Sequence, residues 1–350
     1  MHRSSHDAGS PVQGDMPVMS TAKLPKVVVI GLGGTISMAR QSGGLVPSSA
    51  AGALVASLAA GVALPAQLEV VDLACKPSAH LSFEDLLDLA GLANERIRGG
   101  ATGVVVLQGT DTIEETAFAL DLLVAGTAPI VVTGALRAPG QPGSDAAGNL
   151  AAAVAVAASE RARGLGTLVV FGDEIHHSRL VAKEHAFRPA AFSSPAGGPL
   201  GFVAEGRVLL NWVPAWKPVT LPLEAARNAG QVVCVTCTLG SSPLSLQAAT
   251  GCDGIVVAGF GAGHVPLTWI EPLVRLAQRM PVVIGSRIGS GPILRETYGY
   301  PGSEVDLLSR GLVSAGSLSA PKAATLLSLA LGAGYVSMTL GELFANVGQA

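Results

Sequence analysis

Short β-branched runs alternate along the chain with turns rich in Gly, Ser, Thr and Asp and with stretches rich in Ala and Leu. Runs such as Val27-Val28-Val29-Ile30 and Val104-Val105-Val106-Leu107 are apolar at every position, as expected of strands buried on both faces. The pattern predicts strands over 26–31, 68–73, 103–107, 129–133, 167–171, 231–237, 254–258 and 281–285. Helices are predicted over about 47–60, 82–98, 113–125, 145–160, 241–250, 266–279 and 321–331. Strand–helix alternation of this kind points to an α/β protein whose parallel sheets are covered on both faces.

The rhythm breaks between Arg188 and Gly230. Phe202-Val203 and Val208-Leu209-Leu210 read as a hairpin about Glu205-Gly206, and a stretch rich in proline and aromatic residues follows from Asn211 to Pro218. The expected organisation is a flexible leader over 1–25, a larger N-terminal domain over 26–212, a linker over 213–230 and a smaller C-terminal domain over 231–350.

Composition narrows the function class. The 350 residues are 49% hydrophobic and 13% charged, so much surface must be covered, partly between subunits. A net charge of −3 offers no basic footprint for nucleic acid, and no Lys/Arg-rich amphipathic segment suggests a membrane surface. No apolar stretch reaches the roughly 18 residues of a membrane span. Met1 to Pro25 lacks the apolar centre of a signal peptide, which leads to a cytoplasmic expectation. Cys234 and Cys237, three apart in one apolar run, point to opposite faces of a strand and read as buried structural thiols, not a redox or metal pair.

The chemistry concentrates at the ends of two strands. Thr35 follows the first, in Gly31-Leu32-Gly33-Gly34-Thr35-Ile36-Ser37; Ile36 stands where a dinucleotide fingerprint needs its last glycine. Thr110 follows another, in Gln108-Gly109-Thr110-Asp111-Thr112, at a helix N-terminus suited to a carboxylate ligand. Thr112 and Glu115 have capping-box spacing, which assigns Thr112 to capping and leaves Thr110 and Asp111 for substrate. A threonine hydroxyl attacks only when a base removes its proton, and Lys183, a lone cation among few charges at the end of Asp173 to Lys183, is a candidate. His176, His177 and His185 lie close by, but adjacent histidines on an extended chain point apart, so no metal is expected. The plainer readings are turn glycines, an N-cap and a surface lysine.

Gly33-Gly34-Thr35-Ile36-Ser37, Gln108-Gly109-Thr110-Asp111-Thr112-Ile113-Glu114-Glu115-Thr116 and Val181-Ala182-Lys183-Glu184-His185, in this order and separation, resemble the bacterial-type L-asparaginase family over about Lys26 to Gly332. The resemblance implies a two-domain α/β hydrolase, a homotetramer built as a dimer of dimers, that converts L-asparagine to aspartate and ammonia without metal or cofactor. It implies that Thr35 forms an acyl-enzyme ester and that Thr110, Asp111 and Lys183 form a second triad; which threonine attacks first stays open. By the same resemblance, Ser78 beside Gly109 and Thr110 holds the substrate α-carboxylate, Asp111 takes the α-amino group and the Ala135 carbonyl accepts from the amide. Glu304 matches an acid that reaches the neighbouring chain's site.

The departures from the family pattern matter. Ala79 and Ala262 stand where many relatives have glutamine and asparagine. The segment Met38 to Pro47 has no tyrosine, whereas relatives use one there to help deprotonate the nucleophile. In some relatives that tyrosine comes from the neighbouring chain, which makes Tyr300 the candidate here and Tyr298 its alternate. The expected activity is on free asparagine, with weaker activity on glutamine; one methylene is rejected only about tenfold to a few hundredfold. The rivals are a glutamine-hydrolysing amidotransferase-type subunit and a catalytically inert asparagine sensor.

Overall fold

The protein is described from a computed structural model over residues 24–41, 44–47, 51–59, 61 and 64–348. The leader before residue 24 and part of the helix expected over 47–60 lie outside those residues. In chain order come β1 (Lys26–Gly31), the hairpin β2 (Met38–Gln41) and β3 (Gly44–Pro47), α1 (Ala51–Ala59), β4 (Gln67–Asp72), α2 (Phe83–Arg98) and β5 (Gly103–Leu107). There follow α3 (Ile113–Leu123), β6 (Ile130–Thr133), α4 (Ala146–Ala157), β7 (Thr167–Phe171), β8 (Glu174–His177), the short β9 (Ala182–Lys183) and β10 (Phe192–Ser193), and the hairpin β11 (Gly201–Ala204) and β12 (Arg207–Leu210). The second unit holds α5 (Leu223–Ala226), β13 (Val232–Thr236), β14 (Gly254–Gly259), α6 (Ile270–Ala277), β15 (Val282–Ser286), α7 (Glu304–Ser309), β16 (Val313–Ser314), α8 (Ala320–Gly332) and α9 (Ser337–Val347).

The large sheet has the order β12-β11-β8-β7-β6-β5-β1-β4. Strands β4, β1, β5, β6 and β7 pair in parallel, while β8, β11 and β12 extend that edge antiparallel. Alternation sorts the apolar strand residues between two layers. Val28, Ile30, Val104 and Val106 pack with Leu87 and Leu89 of α2 and Phe118 and Leu120 of α3. Val27, Val29, Val105 and Leu107 pack with Val55 of α1 and Leu150 and Val154 of α4. Apolar residues on both faces explain why these strands read as continuous runs. The smaller sheet, β13-β14-β15-β16, is parallel throughout. Leu326 and Leu327 of α8 and Val256 of β14 belong to the same core as Phe118 and Leu120 of α3, so one apolar layer joins the two sheets.

The structure corrects several expectations. An eighth strand not predicted from the pattern follows β7: Gly172 and Asp173, at φ 58° and 67°, turn the chain into β8, which pairs back on β7. The expected helix over 241–250 is a 3-10 helix over Pro243–Ala249. Helices α7 and α9 were not expected. Cys237 is buried, but Cys234 is exposed, because β13 is an edge strand with one face uncovered. The hairpin about Glu205-Gly206 forms as expected, with φ of 51° and 71° at its two turn residues. Among the described residues no helix is long and apolar enough to cross a membrane.

Candidate active site

Strands β1 and β5 are neighbours, and their register pairs Gly31 with Leu107, so the turns that follow leave the sheet side by side. That edge, beyond the carboxyl ends of parallel strands, is where ligand crevices form in open α/β sheets. The turns then touch: a Cβ on Gly34 would stand 2.0 Å from the Gly109 nitrogen and 2.3 Å from its Cα. Gly33 and Gly34 take φ of 99° and 83°, a region open to glycine and strained for other residues. Because Gly34 meets Gly109, the residues that follow them, Thr35 and Thr110, are brought to one place. Thr35 opens a 3-10 turn over Thr35–Ser37 and is half-buried; among the described residues its hydroxyl has no hydrogen-bond partner.

Thr110 is 6% exposed and sits in a 3-10 turn over Thr110–Thr112 that leads into α3. The Lys183 ammonium donates to Thr110 Oγ1 at 2.9 Å and to Asp111 Oδ1 at 2.7 Å. Lys183 is therefore not a lone cation. Its counterion lies 72 residues away in sequence, and its side chain is 14% exposed against 66% for Asp111. The Lys183 backbone N–H donates to Glu114 Oε1 at 2.6 Å, which fixes β9 against the start of α3.

Ser78 is buried, and its hydroxyl accepts from the Asp111 N–H at 3.1 Å. Gly109 lies against it, since a Cβ there would stand 2.6 Å from Ser78 Oγ. The expected Thr112–Glu115 capping box does not form. Thr112 Oγ1 instead donates to the Ser78 carbonyl at 3.2 Å and accepts from Gln108 Nε2 at 3.3 Å. Tying the Ser78 turn to the Thr110 turn takes that hydroxyl away from the helix end. Ala135 is fully buried just past β6, in a loop held by Asp145, whose carboxylate accepts from the Leu136 and Arg137 N–H groups.

His176 and His177 point apart, as expected of adjacent strand residues. His176 Nδ1 meets Ser194 Oγ at 2.9 Å, and the His177 ring packs edge-on against Trp216. Burial pushes both down to about 4, so they are neutral groups of the core. Among the described residues no cluster of three or more His, Cys, Asp or Glu side chains is arranged to hold a metal ion.

The second sheet carries another polar cluster. Glu304, at the start of α7, is 1% exposed. Its Oε1 accepts from the Thr297 and Tyr298 N–H groups at 3.1 and 2.7 Å, and its Oε2 meets His264 Nε2 at 3.1 Å. Burial alone would raise this carboxyl, but the bonds from Tyr298, its own backbone, Thr297 and His264 together hold it below the ordinary value. Within its own chain the Glu304 carboxylate is enclosed by the loop that leads into α7. The exposed aromatic rings of the segment are Tyr298 and Tyr300, at 42% and 49%.

Comparison with known proteins agrees with this geometry. Residues 26–216 match the family model described as Asparaginase, N-terminal, and residues 231–344 match the Glutaminase/Asparaginase C-terminal domain. The chain belongs to the asparaginase family. An L-asparaginase of Bacillus licheniformis is 35% identical over 87% of this chain and 95% of its own length. A glutamyl-tRNA(Gln) amidotransferase subunit of Methanosarcina barkeri is 32% identical over 80% of this chain and 68% of its own. A crystal structure of a probable cytoplasmic L-asparaginase from Campylobacter jejuni superposes with a TM-score of 0.81 at 28% identity, over 92% of this chain and 99% of that one.

Within this asparaginase-family fold, Thr35, Ser78, Gly109, Thr110, Asp111 and Lys183 gather around the touching turns. Glu304, Tyr298 and Tyr300 belong to the separate cluster on the second sheet. Sequence reasoning missed His264, Glu114 and Lys322. His264 stands two residues past Ala262, in a glycine-rich turn, and nothing in its spacing announced two partners 36 and 40 residues further on.

Proposed function

We propose that the protein hydrolyses the side-chain amide of L-asparagine to aspartate and ammonia through a threonine acyl-enzyme, with weaker activity on glutamine. The observation that carries this reading is the Lys183 ammonium bonded to both Thr110 Oγ1 and Asp111 Oδ1, beside the Gly34–Gly109 contact that brings Thr35 in. Thr35 attacks the amide carbon. The Ala135 carbonyl accepts from the amide NH₂, and ammonia leaves. Thr110, oriented by Lys183, directs the water that cleaves the ester. The Ser78 hydroxyl and the start of α3 favour the substrate α-carboxylate. Asp111 Oδ2, without a partner among the described residues, takes the α-amino group. No metal or cofactor enters this scheme.

The reading includes a cytoplasmic homotetramer in which Tyr300 of a neighbouring chain, with Tyr298 as alternate, serves Thr35. The absence of tyrosine from Met38 to Pro47 supports it, as does the exposed phenol on the second sheet. The amidotransferase relative keeps a second reading open, in which glutamine is the ammonia source. Ammonia release should be measured with asparagine and with glutamine for the wild type, Thr35→Ala and Thr110→Ala. Asparagine should be the faster substrate, and each substitution should cut turnover about a thousandfold or more. Release from glutamine alone would favour the second reading. Release from neither would make the chain an inert binding protein.

A further inference from the structure

The loop after β6 is wired around one residue. Gly134 packs against the second threonine turn, where a Cβ on it would stand 2.6 Å from the Gln108 carbonyl oxygen and 3.3 Å from Thr110 Cγ2. The next residue, Ala135, is fully buried, yet among the described residues nothing donates to its carbonyl. Buried backbone acceptors are nearly always paired, so an open one beside Thr110 suits a donor brought by a ligand. Both peptides that flank Ala135 are held by side chains at the start of α4. Asn149 Nδ2 donates to the Gly134 carbonyl at 2.9 Å, and Asp145 Oδ2 accepts from the Leu136 N–H at 3.0 Å. A trans peptide is planar, with its N–H and C=O pointing opposite ways. Asp145, by drawing the Leu136 N–H to itself, therefore turns the Ala135 carbonyl away from α4. The two anchors also hold each other, with Asn149 Nδ2 at 3.1 Å from Asp145 Oδ2. Asn149 is buried, and its Oδ1 accepts from the Gly172 N–H at 3.0 Å, which ties the loop to the end of β7. Asp145 Oδ1 takes the Arg137 N–H at 2.8 Å.

We propose that Asp145 and Asn149 aim the Ala135 carbonyl at the leaving nitrogen of the substrate and so set a preference for amides. The inference rests on the asparaginase reading above and deepens it. Before reaction the planar amide donates one N–H to that carbonyl. The Thr35 oxygen then bonds to the amide carbon, the carbon–nitrogen bond breaks, and the hydroxyl proton ends on the nitrogen. The nitrogen gains positive charge before it leaves as ammonia. A charged donor bonds a carbonyl more strongly than a neutral one, so correct aim matters most in the transition state. The Ala135 carbonyl touches the substrate, and Asp145 and Asn149 are positioning residues that act through it.

The test compares asparagine with the β-methyl ester of aspartate, which keeps the α-amino and α-carboxylate groups but has an ester oxygen in place of NH₂. Both substrates form the same acyl-enzyme, and kcat/KM from initial rates of aspartate formation reports the acylation of each. The full-length variants are Asp145→Ala, Asp145→Asn and Asn149→Leu. Gln141→Ala is the control in the same loop, because Gln141 Oε1 accepts from the Ala138 N–H at 2.6 Å and touches neither peptide of Ala135. Asp145→Ala and Asn149→Leu should lose about a hundredfold in kcat/KM for asparagine and less than about threefold for the ester. Asp145→Asn keeps one acceptor oxygen and should lose about tenfold, again for asparagine alone. Gln141→Ala should match the wild type on both substrates. Equal losses on amide and ester would overturn the inference and leave the asparaginase reading standing. Normal asparagine turnover in Asp145→Ala, or the same selective loss in Gln141→Ala, would also overturn it. Should Asp145→Ala fail to fold, the amide-to-ester ratio of Asp145→Asn decides. A wild type that cleaves neither substrate would instead sink the reading beneath it.

Discussion

Gly34 decides how closely the two threonine turns approach. Its φ of 83° penalises any side chain, by about 1–2 kcal/mol, and its missing Cβ is the space that the Gly109 backbone occupies. Gly34→Ala should therefore separate Thr35 from Thr110 by about an ångström and lower kcat about a hundredfold. Gly100→Ala is the control: φ is 95° there, but nothing stands within 4 Å, so it should lose stability and keep its turnover. Kinetics and thermal melts of both variants separate the effects, and equal kcat values would show that the glycine contact does not set the site. At this scale the sequence singled out Thr35, Thr110 and Asp111 because they follow recognisable strands, and Lys183 because it is a cation among few charges. The pairing of Lys183 with Asp111 was not, since it depends on how β9 returns across the sheet edge.

β9 is only two residues long, and it presents Lys183 because charges from two helices grip the backbone around it. Glu114 of α3 accepts the Lys183 N–H, while Lys322 of α8, 2% exposed, donates to the Arg179 and Val181 carbonyls. Burial pushes the Lys322 ammonium down to about 8 against the pull of Glu114 and Glu115, so it is charged at neutral pH. Removing one partner of a buried polar arrangement leaves the others unpaired, here the Arg179 and Val181 carbonyls, at about 1–3 kcal/mol for each group. Lys322→Met should accordingly melt several degrees below the wild type, and kcat measured well below that melting point should still fall about tenfold or more as the Lys183 ammonium loses its register with Thr110. A variant of normal kcat would show that β9 is held by Glu114 alone. The apolar pattern made α8 legible as a helix, but a lysine within it gave no sign that its partners are carbonyls of the other domain. The β7–β8 hairpin was missed for a related reason: Glu174 to His177 carries polar residues whose burial depends on Ser194 and Trp216, far along the chain.

At the scale of the whole molecule, burial of polar groups makes stability depend on pH. β8 continues the large sheet, so His176 and His177 fold as neutral groups, each lowered from 6.5 to about 4 by loss of solvent. For His177, Arg179 and Lys322 add to the lowering and Asp121 opposes it. A folded pKa below the unfolded one means that the unfolded chain binds more protons between the two values. The stabilisation is therefore complete above about pH 6.5 and is lost as pH falls towards 4, by up to about 3 kcal/mol for each histidine. Carboxylates whose pKa is lowered in the fold, such as Asp85, lose stabilisation in the same direction, so the wild-type slope alone assigns nothing. The informative comparison is urea unfolding of wild type and His177→Gln from about pH 7 to about pH 4.5. Glutamine keeps a polar group at the Arg179 N–H but cannot titrate, so the variant should start less stable and lose less as the solution is acidified. Parallel curves for the two proteins would show that His177 does not remain neutral in the fold.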